Sequence, residues 1–238
     1  MTASTIQSDL ATLGNATIAA HSQRFFKTGA GQYGDGDVFR GIRVPALRRV
    51  AWASRKLPLT ETLLLLQSPY HEDRFVALCI MVHGFQRGDD TQQGVIYRAY
   101  LHHTRWVNSW DLVDTSAHKI VGPYLTHRNR APLYALAESD LLWERRIAIM
   151  ATLHFIRSND FGDTLRIAAL LLSDPHDLIH KAVGWMLREV GKRTFKAQDS
   201  FMRKYYRTMP RVMLRYAIER YPEELRQAYL KGTVPCEP

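Results

Sequence analysis

The segment 71-HEDRFVALCIMVHGFQ-86 decides the fold class, and 141-LLWERRIAIMATLHFIR-157 and 176-HDLIHKAVGWMLREVGK-192 repeat its pattern. In each, apolar residues recur at three- and four-residue steps, the spacing of one face of an α-helix. Period-two alternation with β-branched enrichment, the mark of a strand, is nearly absent from the chain. Superimposing RFVALCIM, WDLVDTSA, RRIAIMAT, KAVGWMLR and LRYAIERY places Ala77, Val113, Ala148, Gly184 and Ala217 in one column, at steps of 36, 35, 36 and 33 residues. A period of that length made only of helices predicts stacked antiparallel pairs, with a small residue where neighbours approach closely. The expected architecture is therefore all-α: an α-solenoid of HEAT-like helical repeats, curved with a basic concave face. It treats 1–238 as a single repeat domain, with N-terminal helices and a Gly-rich loop over 1–43, repeats over 44–230 and a tail over 231–238.

Upstream of the first long helix, 29-GAGQYGDGDVFRGIRVP-45 holds five of the fourteen glycines. It reads as a long loop leading to a helix that starts near Val44, with Pro45 in the first turn. No Gly-Lys-Ser/Thr follows it and no strand precedes it, which argues against a nucleotide-phosphate cradle. The wider composition excludes other classes. With 46% apolar residues in 238, intrinsic disorder is ruled out. Two cysteines cannot build a disulfide scaffold: Cys79 sits in an apolar run and is expected in the core, and Cys236 lies near the C-terminus. The opening MTASTIQSDLATLGNA lacks the basic start and apolar stretch of a signal peptide, and no apolar run is long enough to span a bilayer. The expected setting is cytoplasmic, nucleoid-associated when bound to DNA, with no membrane partner. Lys and Arg total 32 against 23 Asp and Glu, a surplus of +9 that favours a polyanion partner.

Positions just after the repeat column, and those three or four residues earlier, share one helix face. Trp110, Asp114, Arg146 and Trp185 occupy such positions, so stacking predicts a strip of two indoles, a carboxylate and a guanidinium. Each alone also fits a bland role: a Trp packs in cores, and Asp111, Asp114 or Arg146 can cap a helix or face solvent. A solenoid's inner strip, however, is where such proteins bind ligands. The histidines do not point to a metal. His176 and His180 stand four apart, but HDLIH lacks the Glu of HExxH, and His102 and His103 are merely adjacent. No metal and no cofactor is expected.

The segments 108-NSWDLVD-114, 143-WERR-146, 180-HKAVGWMLREVGK-192 and 39-FRGIRVPALR-48 together resemble the AlkD family of DNA alkylation-repair glycosylases, from about Phe25 to Tyr221. The resemblance implies a HEAT-like fold curved around duplex DNA. It also implies a monomeric N-glycosidase, without a small-molecule cofactor, that removes cationic N3- or N7-alkylated purines. Carried over by position, Asp114, Trp110 and Trp185 would be the catalytic residues. Arg146 would contact the backbone, with Phe25, Arg48 and Arg188 as further DNA-binding residues. Ser109 stands where some relatives carry a second Trp, Phe25 where some have Tyr, and the Gly-rich loop is longer than in others. A non-catalytic HEAT-like protein that binds damaged or unusual DNA is the alternative. A protein-binding scaffold is a third, which the basic charge fits poorly.

Overall fold

The computed structural model describes residues 1–235, so Cys236 and the end of the expected tail lie outside it. The chain forms two compact units, one spanning Met1–Ile120 and the other starting at Val121. The first contains α1 (Ala3–Thr12), α2 (Ala16–Phe25), α3 (Val44–Ala53), α4 (Leu59–Leu66), α5 (His71–Arg87) and α6 (Asp90–His102). It also holds the start of α7 (Trp110–Tyr124). The second contains α8 (Ala131–Ala137), α9 (Leu142–Ala151), α10 (Leu153–Arg157), α11 (Gly162–Leu170) and α12 (Asp177–Arg193). It ends with α13 (Phe195–Tyr205), α14 (Arg211–Ala217) and α15 (Glu223–Lys231). Among the described residues there is no β-strand, only an isolated bridge between Val38 and Tyr70. None of the described helices is long and apolar enough to cross a membrane.

Several helices start at side chains that satisfy otherwise unpaired N–H groups, and others at a proline. Asn15 accepts from the Ile18 amide at 3.0 Å and Asp89 from the Gln92 amide at 2.8 Å, while Pro45 opens α3. At the far end, Gly232 closes α15 with φ +75. The five column residues fall on α5, α7, α9, α12 and α14, and all five are buried. In the first unit α5 packs against α3, α4 and α6. In the second, α9 packs against α8 and α12, and α12 against α13 and α14. Gly184 shows why the column is small: a Cβ there would sit 2.5 Å from the Tyr216 Cβ and 2.6 Å from the Met213 carbonyl oxygen of α14.

Two details depart from the expected helices. The run 141–157 is two helices, α9 and α10, joined at Thr152, whose hydroxyl donates to the Ile149 carbonyl at 2.7 Å. Such a back-bond competes with the helix ladder and bends the chain. Cys79, expected in the core, is half-buried on α5, where burial pushes its thiol pKa up.

Candidate active site

The Gly-rich loop is fixed by the first turn of α5. All four residues of 71-HEDR-74 are buried, and each holds a different part of the loop or its flanks. The Glu72 carboxylate accepts the amides of Arg40, Gly41 and Ile42 at 2.9, 2.8 and 3.2 Å. Asp73 takes a two-pronged bond from the Arg40 guanidinium at 2.7 and 2.9 Å, and a third from the Ser68 hydroxyl. Arg74 donates to Asp37 at 2.6 Å and to the Ser68 and Pro69 carbonyls. Gly41 completes the fit: it adopts φ +80, and a Cβ there would meet the Asn15 carbonyl oxygen at 2.1 Å. Buried carboxylates and guanidinia are tolerable because each is paired and hydrogen-bonded.

His71 joins this loop to α7. Its Nδ1 bonds Asp37 at 2.8 Å and its Nε2 bonds Asp111 at 2.9 Å. Burial opposes a charge on the ring, but the flanking carboxylates of Asp111 and Asp37 outweigh it and hold the pKa up to about 9. The imidazolium therefore donates to both. Burial alone would raise the Asp37 pKa, but the bonds from His71 and Arg74 turn the shift downward. Two carboxylates, one imidazolium and one guanidinium leave the buried cluster neutral.

An aromatic column stands on this base. Phe39 stacks on His71 at 4.5 Å, Phe26 on Phe39 at 4.9 Å, and the Trp110 indole on Phe26 at 5.4 Å and 12°. Phe25 touches Trp110 edge-on at 6.1 Å and remains 56% exposed. Such offset and edge-to-face contacts hold an aromatic ring in place. Trp110 is the first residue of α7 and is half-buried, and Asp114 follows one turn later, also half-buried. α7 is locked against α6 just beyond, where the buried Tyr100 hydroxyl bonds Ser116 at 2.9 Å. Burial, and to a lesser degree the Asp114 charge, push the Tyr100 pKa up.

The structure thus brings Phe25 and Trp110 into contact and puts Asp114 one turn away. Arg48 is in the same unit, exposed on α3, with its guanidinium 5.9 Å from the Phe75 ring centroid. Arg146, Trp185 and Arg188 belong to the second unit. Arg146 is only 5% exposed and donates to the Leu178 carbonyl at 2.6 Å. The Trp185 indole is half-buried on α12 and donates to Glu189 at 3.0 Å; Glu189 in turn pairs with Lys192. Arg188 pairs with Glu219. Sequence reasoning missed Phe26, Phe39, Asp37 and His71. No local signal marked them, since α3 and α4 separate the Gly-rich loop from the start of α5 in the sequence. Among the described residues no group of three or more His, Cys, Asp or Glu is placed to hold a metal ion.

Comparisons with known proteins agree with this architecture. No curated protein matches the chain. A solved structure described as a predicted DNA alkylation repair enzyme from Enterococcus faecalis shares the fold, with a TM-score of 0.67. It is 18% identical, and the match covers 88% of this chain and 97% of that one. The sequence profile of the DNA alkylation repair enzymes matches residues 6–221, nearly the whole of the all-helical array. The chain belongs to the DNA alkylation repair enzyme family.

Proposed function

We propose that this chain is a DNA glycosylase that hydrolyses the N-glycosidic bond of cationic N3- or N7-alkylated purines in duplex DNA, with Asp114 as its catalytic anion. The observation that carries the reading is the geometry of 110-WDLVD-114 at the start of α7. Asp111 is bound to His71 at 2.9 Å and serves the scaffold. Asp114 lies one turn beyond Trp110, whose indole is held by the aromatic column.

The residue types suit the chemistry. An N3- or N7-alkylated purine already carries positive charge, so it departs without a general acid, and one carboxylate can serve where other glycoside cleavages use two. As the bond breaks, positive charge develops on the sugar. A fixed anion stabilises it and can orient the attacking water. The indole faces of Trp110 and Trp185 attract cationic groups, each contact contributing about 0.5–2 kcal/mol. We assign backbone phosphate contact to the exposed Arg48 and then to Arg188, whereas Arg146, buried on the Leu178 carbonyl, serves the packing of its unit.

The test is release of alkylated bases from methylated duplex DNA. Asp114→Asn keeps the shape and removes the charge. It should excise about 10²-fold or more slowly while binding duplex with nearly unchanged affinity. Wild-type speed in that variant would remove Asp114 from the chemistry. Tight duplex binding without any base release by the wild type would identify a non-catalytic DNA-binding protein instead.

A further inference from the structure

The α3–α5 face of the first unit carries a hollow of which the proposed function uses only Arg48. It has a volume of about 310 Å³, and its walls include Arg48 and Trp52 of α3, Arg55 of the turn that follows it, Cys79 and His83 of α5, and Lys119 of α7. Among the described residues lining it there is no Asp or Glu. Trp52 exposes 57% of its surface at the rim. The Arg55 guanidinium lies 4.5 Å from the centre of that indole, and its Nη1 donates to the Trp52 carbonyl at 2.8 Å. His83 meets the indole edge-to-face at 5.3 Å. Burial, and then the charges of Arg87 and Arg55, keep His83 below its ordinary pKa.

A second basic hollow shows what an ordinary explanation looks like. Near the end of α15, Arg211 and Arg207 donate to the Leu230 and Gly232 carbonyls, closing the helix end. The α3–α5 hollow has a different make-up. It pairs an exposed aromatic face with clustered cations, the combination that single nucleic-acid strands use. Its volume is in the range of small-ligand sites. Thr115, the next residue after Asp114, also lines it, and Lys119 lies five residues past Asp114, about 7.5 Å along the helix axis. That is on the scale of two base steps of about 3.4 Å each.

We propose that this hollow binds one nucleotide of a DNA strand, with the base stacked on Trp52 and its phosphate held by Arg48 and Arg55. The proposal rests on the reading that the chain acts on DNA, but it does not depend on Asp114 or on base release. An unstacked base is needed to reach the indole, so the ligand is single-stranded or locally opened DNA.

A labelled ten-nucleotide oligothymidylate, followed by fluorescence anisotropy, tests it. Trp52→Ala should weaken binding about tenfold, and Trp52→Phe should restore most of the loss. Arg55→Gln should weaken binding and flatten its salt dependence by about 0.7 unit, the slope per phosphate on a single strand. Because Trp52 is exposed, thermal melts should show all three variants folded; Arg55→Gln stands alone as the test if Trp52→Ala does not fold. Unchanged affinity in Trp52→Ala and Arg55→Gln would overturn the proposal, even if the wild type excises methylated bases. Full competition by inorganic phosphate with no dependence on Trp52 would reduce the hollow to an anion site and overturn it as well. Loss of oligonucleotide affinity in a protein that releases no base would sustain the hollow and remove the glycosylase reading.

Discussion

His71 carries a carboxylate on each ring nitrogen, so its charge is part of the folding equilibrium. Its pKa rises from 6.5 to about 9 on folding. A group shifted upward contributes stability that is complete below its unfolded pKa and disappears as pH passes its folded one. The first unit should therefore lose stability between about pH 6.5 and 9, by an amount of order 3 kcal/mol. Asp37, shifted downward, acts in the opposite sense: its contribution is lost only as pH falls through the acid range. The check is a series of thermal melts across pH. The midpoint should fall by several degrees from pH 6.5 to 9 in the wild type and stay flatter in His71→Gln. A wild-type midpoint constant over that window would mean that His71 is neutral. None of this was legible in 71-HEDR-74. Charged residues in a first helical turn ordinarily complement the helix dipole at the surface, and only the return of the Gly-rich loop, a contact between distant residues, buries them. Phe25 entered only through the family resemblance, as the position where some relatives carry Tyr. Its neighbour Phe26, the one stacked on Trp110, did not enter at all, because the two differ only in which way a loop turns.

At the scale of the helix, the repeat column was the most legible feature of the sequence. A close approach between helices demands a small residue, as at Gly184, while Val113 in the same column shows that not every pair approaches so closely. Gly184 gives the sharpest test, since α14 backbone and the Tyr216 Cβ lie within 2.6 Å of the Cβ it lacks. In a free helix, Gly→Ala would gain up to about 1 kcal/mol. Here the inserted methyl must push two helices apart, at a cost of about 1–3 kcal/mol. Gly184→Ala should lower the melting midpoint by a few degrees. Gly162→Ala, whose Cβ would meet only the flexible end of Arg166 at 3.5 Å, should leave it unchanged or raise it. A Gly184→Ala protein as stable as the wild type would show that the α12–α14 approach tolerates a wider spacing. The break at Thr152 was invisible for the opposite reason: one hydroxyl back-bond redirects the chain without changing the apolar period.

For the whole molecule, the surplus of nine positive charges has a direct reading in solution. Affinity for undamaged duplex should fall steeply with salt, by a slope of about 0.9 for each phosphate neutralised, because binding releases condensed counterions. Titration at several ionic strengths checks this, and a slope near zero would mean that the charge serves another purpose. Charge sign and helical class were readable from composition. The pairing of individual cations was not, since Arg40, Arg74 and Arg146 count toward the surplus yet lie largely buried on internal partners. The Glu72 contacts carry a further consequence. Five glycines in one stretch suggest a segment that proteases cut and solvent penetrates. Yet the amides of Arg40, Gly41 and Ile42 all end on one buried carboxylate at the start of α5. Those three hydrogens should exchange with deuterium as slowly as the core of α5, and trypsin should spare the Arg40 bond until the whole first unit opens.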